Sequence, residues 1–236
     1  EYFEKGIKDS SKIKIGVEQE KFLFQKKDKK RIPYKKLLEL FEKLKQYGWQ
    51  PVSERGNIIG LKRGKQQITT EPGLQCELSG EPLDTIHQVC SESSNYSNEI
   101  TEASKGLDVT MASVGFDPFN TLSRIPKNPK QRYEIMSKEM PKGGKLSLDM
   151  MYRTCGLQIN FDYTSEKNFE KIFRTGNYLV PLTIAIFANS PFKEGRPNQY
   201  LSYRNKVWQM TSRSGIMPIV FENITFEKYF DHVIDF

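Results

Sequence analysis

The chain has 236 residues and a mass of 27.4 kDa, a length for one large domain or two small ones, which excludes a peptide or a disulfide-stapled mini-protein. Hydrophobic residues make up 37% and aromatics 12%, enough apolar side chain to fill a core and to exclude global disorder. The net charge of +7 suits either a polyanionic ligand or a merely basic surface, while Cys76, Cys90 and Cys155, never spaced as CxxC and accompanied only by His87 and His232, exclude a structural zinc site and point to a reducing compartment.

Residues 12–24 alternate as a strand, with Ile13, Ile15 and Val17 on one side and Lys14, Gly16, Glu18, Glu20 and Phe22 on the other. The run Lys26, Lys27, Lys29, Lys30, Arg31 reads as a solvated turn. Pro33 then sits in the first turn of a helix that carries Leu37, Leu38, Phe41 and Leu44 and stops at Gly48. Residues 57–71 predict a hairpin around Lys62-Arg63-Gly64-Lys65, followed by a Pro72-Gly73 turn. From residue 74 the alternation resumes, with Leu74, Cys76 and Leu78 facing one way and Gln75, Glu77 and Ser79 the other.

Pro82 predicts the start of a long helix to about Gly106, carrying Leu83, Ile86, Val89 and Cys90. A strand over 107–116 and a proline-rich loop over 117–131 follow. A third alternating strand sets Leu157, Ile159, Phe161 and Tyr163 against Gln158, Asn160 and Asp162. Helix returns over 165–189, and its apolar stretch at 178–188, broken by Pro181 and Thr183, is too short for the ~20 residues that span a bilayer. Phe226, Tyr229, Phe230, Val233, Ile234 and Phe236 form a final helical stripe, so both chain ends read as cut. Strands and helices mix without regular βα alternation, which predicts an α+β fold with a mostly antiparallel sheet.

Three of these strands present a polar face: Glu18 and Glu20, then Gln75 and Glu77, then Gln158 and Asn160. An antiparallel sheet commonly has one solvated face, but ordinary surface mixes both signs of charge. Carboxylates and carboxamides with hardly a Lys or Arg among them suit Mg²⁺ bridging phosphates. Glu71 either joins them or caps its turn. Donors for an anionic substrate are offered by Arg132, Lys142, Arg153, Arg204 and Arg213, and Trp208 at i+4 from Arg204 shares its helix face. Lys62 and Lys65 in the hairpin turn are candidate nucleotide contacts.

Gly16-Val17-Glu18-Gln19-Glu20-Lys21-Phe22, Glu71-Pro72-Gly73-Leu74-Gln75-Cys76-Glu77-Leu78-Ser79-Gly80, the segment from Leu83 to Cys90 with its His87-Gln88, Arg132-Tyr133-Glu134-Ile135-Met136, Met140-Pro141-Lys142, Leu148-Asp149-Met150-Met151-Tyr152-Arg153-Thr154-Cys155, Phe187-Ala188-Asn189-Ser190-Pro191-Phe192 and Arg213-Ser214-Gly215 occur in order along the chain. Together they resemble glutamate-cysteine ligase of the plant and proteobacterial type, over nearly the whole sequence. Family members are nearly twice as long, so the resemblance implies that residues 1–236 are the N-terminal part of one catalytic domain. It also implies a glutamine-synthetase-like ligase fold, whose curved sheet forms a funnel for ATP, Mg²⁺ and the amino acids. The implied reaction phosphorylates the γ-carboxylate of L-glutamate, and the amino group of L-cysteine then displaces phosphate, the first step of glutathione biosynthesis.

On that resemblance Glu18, Glu20 and Glu77 are the leading Mg²⁺ ligands, with Glu71, Gln75, Gln158 and Asn160 beside them. Arg204 and Trp208 match the glutamate-binding segment, Met150 and Thr154 line the same pocket, and Arg132, Lys142 and Arg213 are expected to contact phosphate or carboxylate. The implied location is the cytoplasm of a bacterium or the plastid of a plant. Cys76 replaces an aromatic, Leu74 a Gly and Gln19 a common His, none of which removes a carboxylate. Cys90 matches a cysteine of a plant regulatory disulfide, but is expected here as a buried helical thiol. The rival readings are an RNA-binding protein, which the acidic polar faces oppose, another carboxylate-amine ligase of the same fold, and a catalytically inert fragment.

Overall fold

Alternation in the first polar strand produces β1 (Ile15–Phe24), which runs through a seven-stranded sheet. The structure, a computed structural model, describes residues 1–212 and 222–235. A short helix, α1 (Tyr2–Lys5), precedes β1, and α2 (Tyr34–Leu44) follows it. Next come β2 (Gln50–Glu54), β3 (Asn57–Arg63), β4 (Gln66–Thr70) and β5 (Cys76–Ser79). These lie in the order β2-β3-β4-β5-β1, all antiparallel. The far edge of β1 is divided. Residues 15–19 pair with β7 (Leu157–Phe161), and residues 22–24 pair with β6 (Thr110–Ala112). The architecture is α+β, with helices packed against an antiparallel sheet that does not close.

One face of the sheet is covered by α2 and α3 (Ile86–Ala103). Leu37, Leu40, Phe41 and Leu44 of α2 and Tyr96, Ile100 and Ala103 of α3 bury against Leu23, Leu61, Ile68, Leu74, Cys76 and Leu78. Each such large side chain contributes about 1.5–3 kcal/mol on leaving water. Because side chains alternate along a strand, this burial turns Glu18, Glu20 and Glu77 to the opposite face. That second face meets α4 (Gln131–Glu139), α5 (Ser147–Arg153) and α7 (Tyr203–Gln209). The remaining elements are α6 (Glu166–Ile186), the small hairpin β8 (Phe192–Lys193) and β9 (Arg196–Pro197), and α8 (Phe226–Asp235).

Several expectations are corrected. Arg31 is no part of a solvated turn: its side chain and that of Asp117 are 1% and 0% exposed and form an ion pair at 3.5 Å. Arg31 Nη2 also donates to Gly73 O at 2.5 Å, and the guanidinium lies 4.5 Å from the centre of the Phe22 ring. The helix expected from Pro82 starts only after Thr85, whose side chain accepts from Gln88 N while Gln88 reaches back to the Thr85 N–H. Cys90 is exposed, because the inward stripe of α3 runs through Val89, Tyr96 and Ile100 and leaves Cys90 about 100° further round the helix. Strand β2 and helices α4 and α5 are additional, and the 107–116 strand shrinks to three residues. In α8, Phe226 is buried and Tyr229 packs edge-on against Phe3, Phe169 and Phe173, whereas Phe230, Val233 and Ile234 are exposed. Phe236 lies outside the described residues. No helix among the described residues is long and apolar enough to cross a membrane.

Candidate active site

The β1–β5 register sets Glu20 directly opposite Glu77 and Glu18 opposite Ser79. Glu71 comes from the turn between β4 and β5, where Glu71 N donates to Gln75 O and Leu74 N to Glu71 O. Leu74 adopts φ 59 in that turn, a left-handed conformation that favours glycine. Gly73 is needed there for a different reason: a Cβ would stand 2.5 Å from Tyr152 O. One carboxylate oxygen each from Glu20, Glu71 and Glu77 lies within 4.8 Å of the other two. Mg²⁺ takes oxygen ligands at about 2.0–2.1 Å, so these side chains fit such an ion after a small inward movement.

The carboxylates are closely supported. Ser79 Oγ and Thr69 Oγ1 donate to Glu77 Oε1 at 2.7 and 3.3 Å, and Gly156 N donates to Glu20 Oε2 at 2.6 Å. Burial is the main cause that pushes Glu20 up to about 7; Glu71 and Glu77 add to it, against the Gly156 N–H and Arg204. Glu71 is also raised, by burial and then by Glu77, with Lys130, Tyr133 and Arg132 opposing.

These groups line a cleft of about 550 Å³. The same cleft carries Arg204 close to Glu20; its Nε donates to Cys155 O at 2.9 Å and its guanidinium carbon lies 5.5 Å from the centre of the Trp208 ring. Among the described residues the two Nη groups of Arg204 have no hydrogen-bond partner, and they are not buried. Gly156 allows this approach, since a Cβ there would come within 2.9 Å of Arg204 Nη2. Met150, Thr154 and Arg132 also line the cleft, with Met136, Met151, Leu157 and Ile159 forming apolar wall. The cleft thus sets a planar cation beside a carboxylate cluster, an arrangement able to hold a metal-bound polyanion next to a carboxylate ligand.

Sequence-predicted residues divide sharply here. Glu20, Glu71 and Glu77 converge, whereas Glu18 stands two residue pairs away and accepts from Asn160 Nδ2 at 3.2 Å. Gln158 lines the cleft and donates to Asn160 Oδ1. The Gln75 carboxamide braces the turn: Oε1 accepts from Gly73 N, and Nε2 donates to Met151 O and Thr154 O. Lys142 does not reach the cleft; it is exposed and paired with Glu139 at 2.5 Å. Lys62 and Lys65 are exposed and outside the lining, because the β3–β4 hairpin tip lies several strands from β1. Arg153 is buried under Phe116 and paired with Asp149 and Glu194. Arg213 lies outside the described residues. Tyr133, Lys130, Thr69 and Ser79 have no assigned role in the sequence reading; for Ser79 the alternation shared with Glu77 is the available signal.

The family model described as glutamate-cysteine ligase family 2 (GCS2) matches residues 14–236. The chain is 44% identical to glutamate–cysteine ligase A, chloroplastic, of Oryza sativa subsp. japonica, over 99% of this chain and 48% of the rice protein. It is 44% identical to the chloroplastic glutamate–cysteine ligase of Nicotiana tabacum and 42% identical to that of Arabidopsis thaliana, covering 99% of this chain and 46% of each relative. The chain spans about half the length of the curated relatives it matches. A match over so much of the sequence, with the carboxylate-lined cleft inside it, makes this chain a member of glutamate-cysteine ligase family 2.

Proposed function

We propose that this chain contributes part of the catalytic domain of an ATP- and Mg²⁺-dependent ligase that joins the γ-carboxylate of L-glutamate to the amino group of L-cysteine, the first step of glutathione biosynthesis. It would act in the plastid of a plant or the cytoplasm of a bacterium. The observation that carries this reading is that two chemistries share one cleft, the carboxylates of Glu20, Glu71 and Glu77 and, beside Glu20, the guanidinium of Arg204 with Trp208. Glu20, Glu71 and Glu77 would hold Mg²⁺, with Glu18, Gln158 and Asn160 as a neighbouring polar set. The bound ion supplies charge neutralisation for the phosphates of ATP, which together with alignment is most of what phosphoryl transfer requires.

Arg204 grips the α-carboxylate of glutamate through its two Nη groups, and Trp208 holds the guanidinium plane in place. Met150 and Thr154 shape the same pocket, leaving the γ-carboxylate directed toward the carboxylate cluster. Arg132 offsets negative charge on the transferring phosphoryl group. The γ-carboxylate oxygen attacks the terminal phosphorus of ATP, giving γ-glutamyl phosphate and ADP. The cysteine nitrogen then attacks the acyl carbon, the bond to the phosphate oxygen breaks, and γ-glutamylcysteine, phosphate and a proton leave. In the full-length protein, phosphate release should require ATP, Mg²⁺, glutamate and cysteine together and match γ-glutamylcysteine formed. Equal turnover with amines other than cysteine would assign a different carboxylate-amine ligation to the cleft.

A further inference from the structure

Tyr133 on α4 is 3% exposed, and its hydroxyl meets Glu71 at an unusual point. The Tyr133 Oη lies 3.1 Å from Glu71 Oε1 and 3.1 Å from Oε2, and 3.4 Å from Thr70 O. The same segment clamps the turn that bears Glu71. Asn128 Nδ2 donates to Thr70 O, Thr70 Oγ1 and Glu71 O at 2.7, 2.7 and 3.1 Å, and Lys130 Nζ donates to Thr70 O at 2.8 Å. The ring packs with Ile125 and Met151, so an apolar side chain would satisfy packing alone; the phenol oxygen needs another reason.

We propose that Tyr133 is a positioning residue that holds Glu71 as a one-oxygen ligand and thereby favours Mg²⁺ over Ca²⁺ at the Glu20–Glu71–Glu77 cluster. The proposal rests on the reading of that cluster as a cation site. A phenol has one proton to give. When one Glu71 oxygen turns to a cation, the hydroxyl stays with the other and keeps it from joining. Mg²⁺ demands near-octahedral geometry at about 2.0–2.1 Å and takes carboxylates through single oxygens, whereas Ca²⁺ accepts two-oxygen carboxylates at about 2.3–2.6 Å. A partner that fixes a ligating carboxylate typically matters about 10- to 100-fold in metal affinity.

The test is calorimetric titration of Mg²⁺ alone and Ca²⁺ alone into the full-length protein, its Tyr133→Phe variant and its Glu71→Gln variant. Tyr133→Phe should weaken Mg²⁺ by about 10- to 100-fold and change Ca²⁺ by less than about threefold, while Glu71→Gln weakens both. Parallel loss of both ions in Tyr133→Phe, or loss of neither, overturns the proposal and leaves the cation site standing. Unchanged Mg²⁺ binding in Glu71→Gln removes Glu71 from the cation site, and the proposal with it. Should Tyr133→Phe fold poorly, Tyr133→Met, which likewise keeps an apolar side chain and removes the hydroxyl while leaving Glu71 in place, gives the same readout: discrimination lost supports the role, discrimination kept refutes it.

Discussion

Glu20 and Glu77 stand directly opposite each other in the β1–β5 ladder, two carboxylates where cross-strand neighbours are ordinarily neutral or of opposite sign. Like charges so placed destabilise a sheet, and Glu71 brings a third within reach. On the proposed reading of the cluster as a Mg²⁺ site, the repulsion is the local cost of keeping that site ready.

Removing one charge should therefore stabilise the metal-free protein while disabling the site. Glu77→Gln is expected to raise the metal-free melting temperature and to abolish most of the stabilisation that Mg²⁺ confers. Glu20→Gln should shift the Mg²⁺ dependence of turnover far more than Glu18→Gln, since Glu18 lies outside the cluster. Melting curves with and without Mg²⁺, together with Mg²⁺ titrations of activity, check both statements; equal effects at positions 18 and 20 would move the metal centre along the strand.

Arg204→Lys keeps the positive charge but loses the fork that fits a carboxylate through two parallel hydrogen bonds. It should raise KM for glutamate by at least about tenfold, a loss on the order of 1.4 kcal/mol, and leave KM for ATP nearly unchanged. Steady-state kinetics with each substrate varied decides this, and an equal rise in both constants would assign Arg204 to phosphate or to structure.

The raised Glu20 carboxyl gives the metal-free fold a definite pH dependence. Folded Glu20 titrates at about 7, against an ordinary value of 4.5. Between those limits the folded chain binds a proton that the unfolded chain does not, so stability falls as pH rises through the window. The shift corresponds to about 3 kcal/mol at full deprotonation. Wild type should lose stability relative to Glu20→Gln on going from about pH 5 to about pH 7.5, and saturating Mg²⁺ should remove the difference. Denaturant titrations at the two pH values measure it; a gain relative to Glu20→Gln would reverse the assigned environment.

Leu74 combines full burial with a left-handed backbone, at 1% exposure and φ 59. Leu74→Ala loses the side chain and keeps the strain, a cost of about 2–5 kcal/mol. Leu74→Gly loses the same packing but relieves roughly 1–2 kcal/mol of backbone strain. Glycine should thus be at least as stable as alanine here, the reverse of their usual order. Chemical denaturation of the two variants tests the ranking.

Parity made much of the site legible from sequence. Alternation alone puts Glu18 and Glu20 on one face of β1 and Glu77 on the matching face of β5, because side chains repeat every two residues. Register is a different kind of information. It decides that Glu20, rather than Glu18, meets Glu77, and it depends on the turn whose backbone Leu74, Asn128 and Lys130 shape. Arg31 shows the same limit: next to four lysines it resembles solvated charge, yet Asp117, 86 positions away, takes it inside. Cys90 fails for a narrower reason. It neighbours Val89 in sequence, but the helix turns it outward, and only the spacing of Tyr96 and Ile100 reveals the inner stripe.

The divided edge of β1 bears on how the protein acquires its cleft. Glu20 needs β5 on one side and the Gly156 N–H on the other, the latter 136 positions away along the chain. Closing so long a loop costs entropy before any contact is returned, and distant pairings of this kind slow folding. The helical layer over 34–44 and 86–103 and the strands from 50 to 79 can assemble through shorter loops. Docking of the 157–161 strand is therefore expected to come late, so that an ordered chain with an unformed cleft precedes the finished one. During biosynthesis, cation binding by all three carboxylates would report the arrival of that strand more sharply than the appearance of secondary structure does.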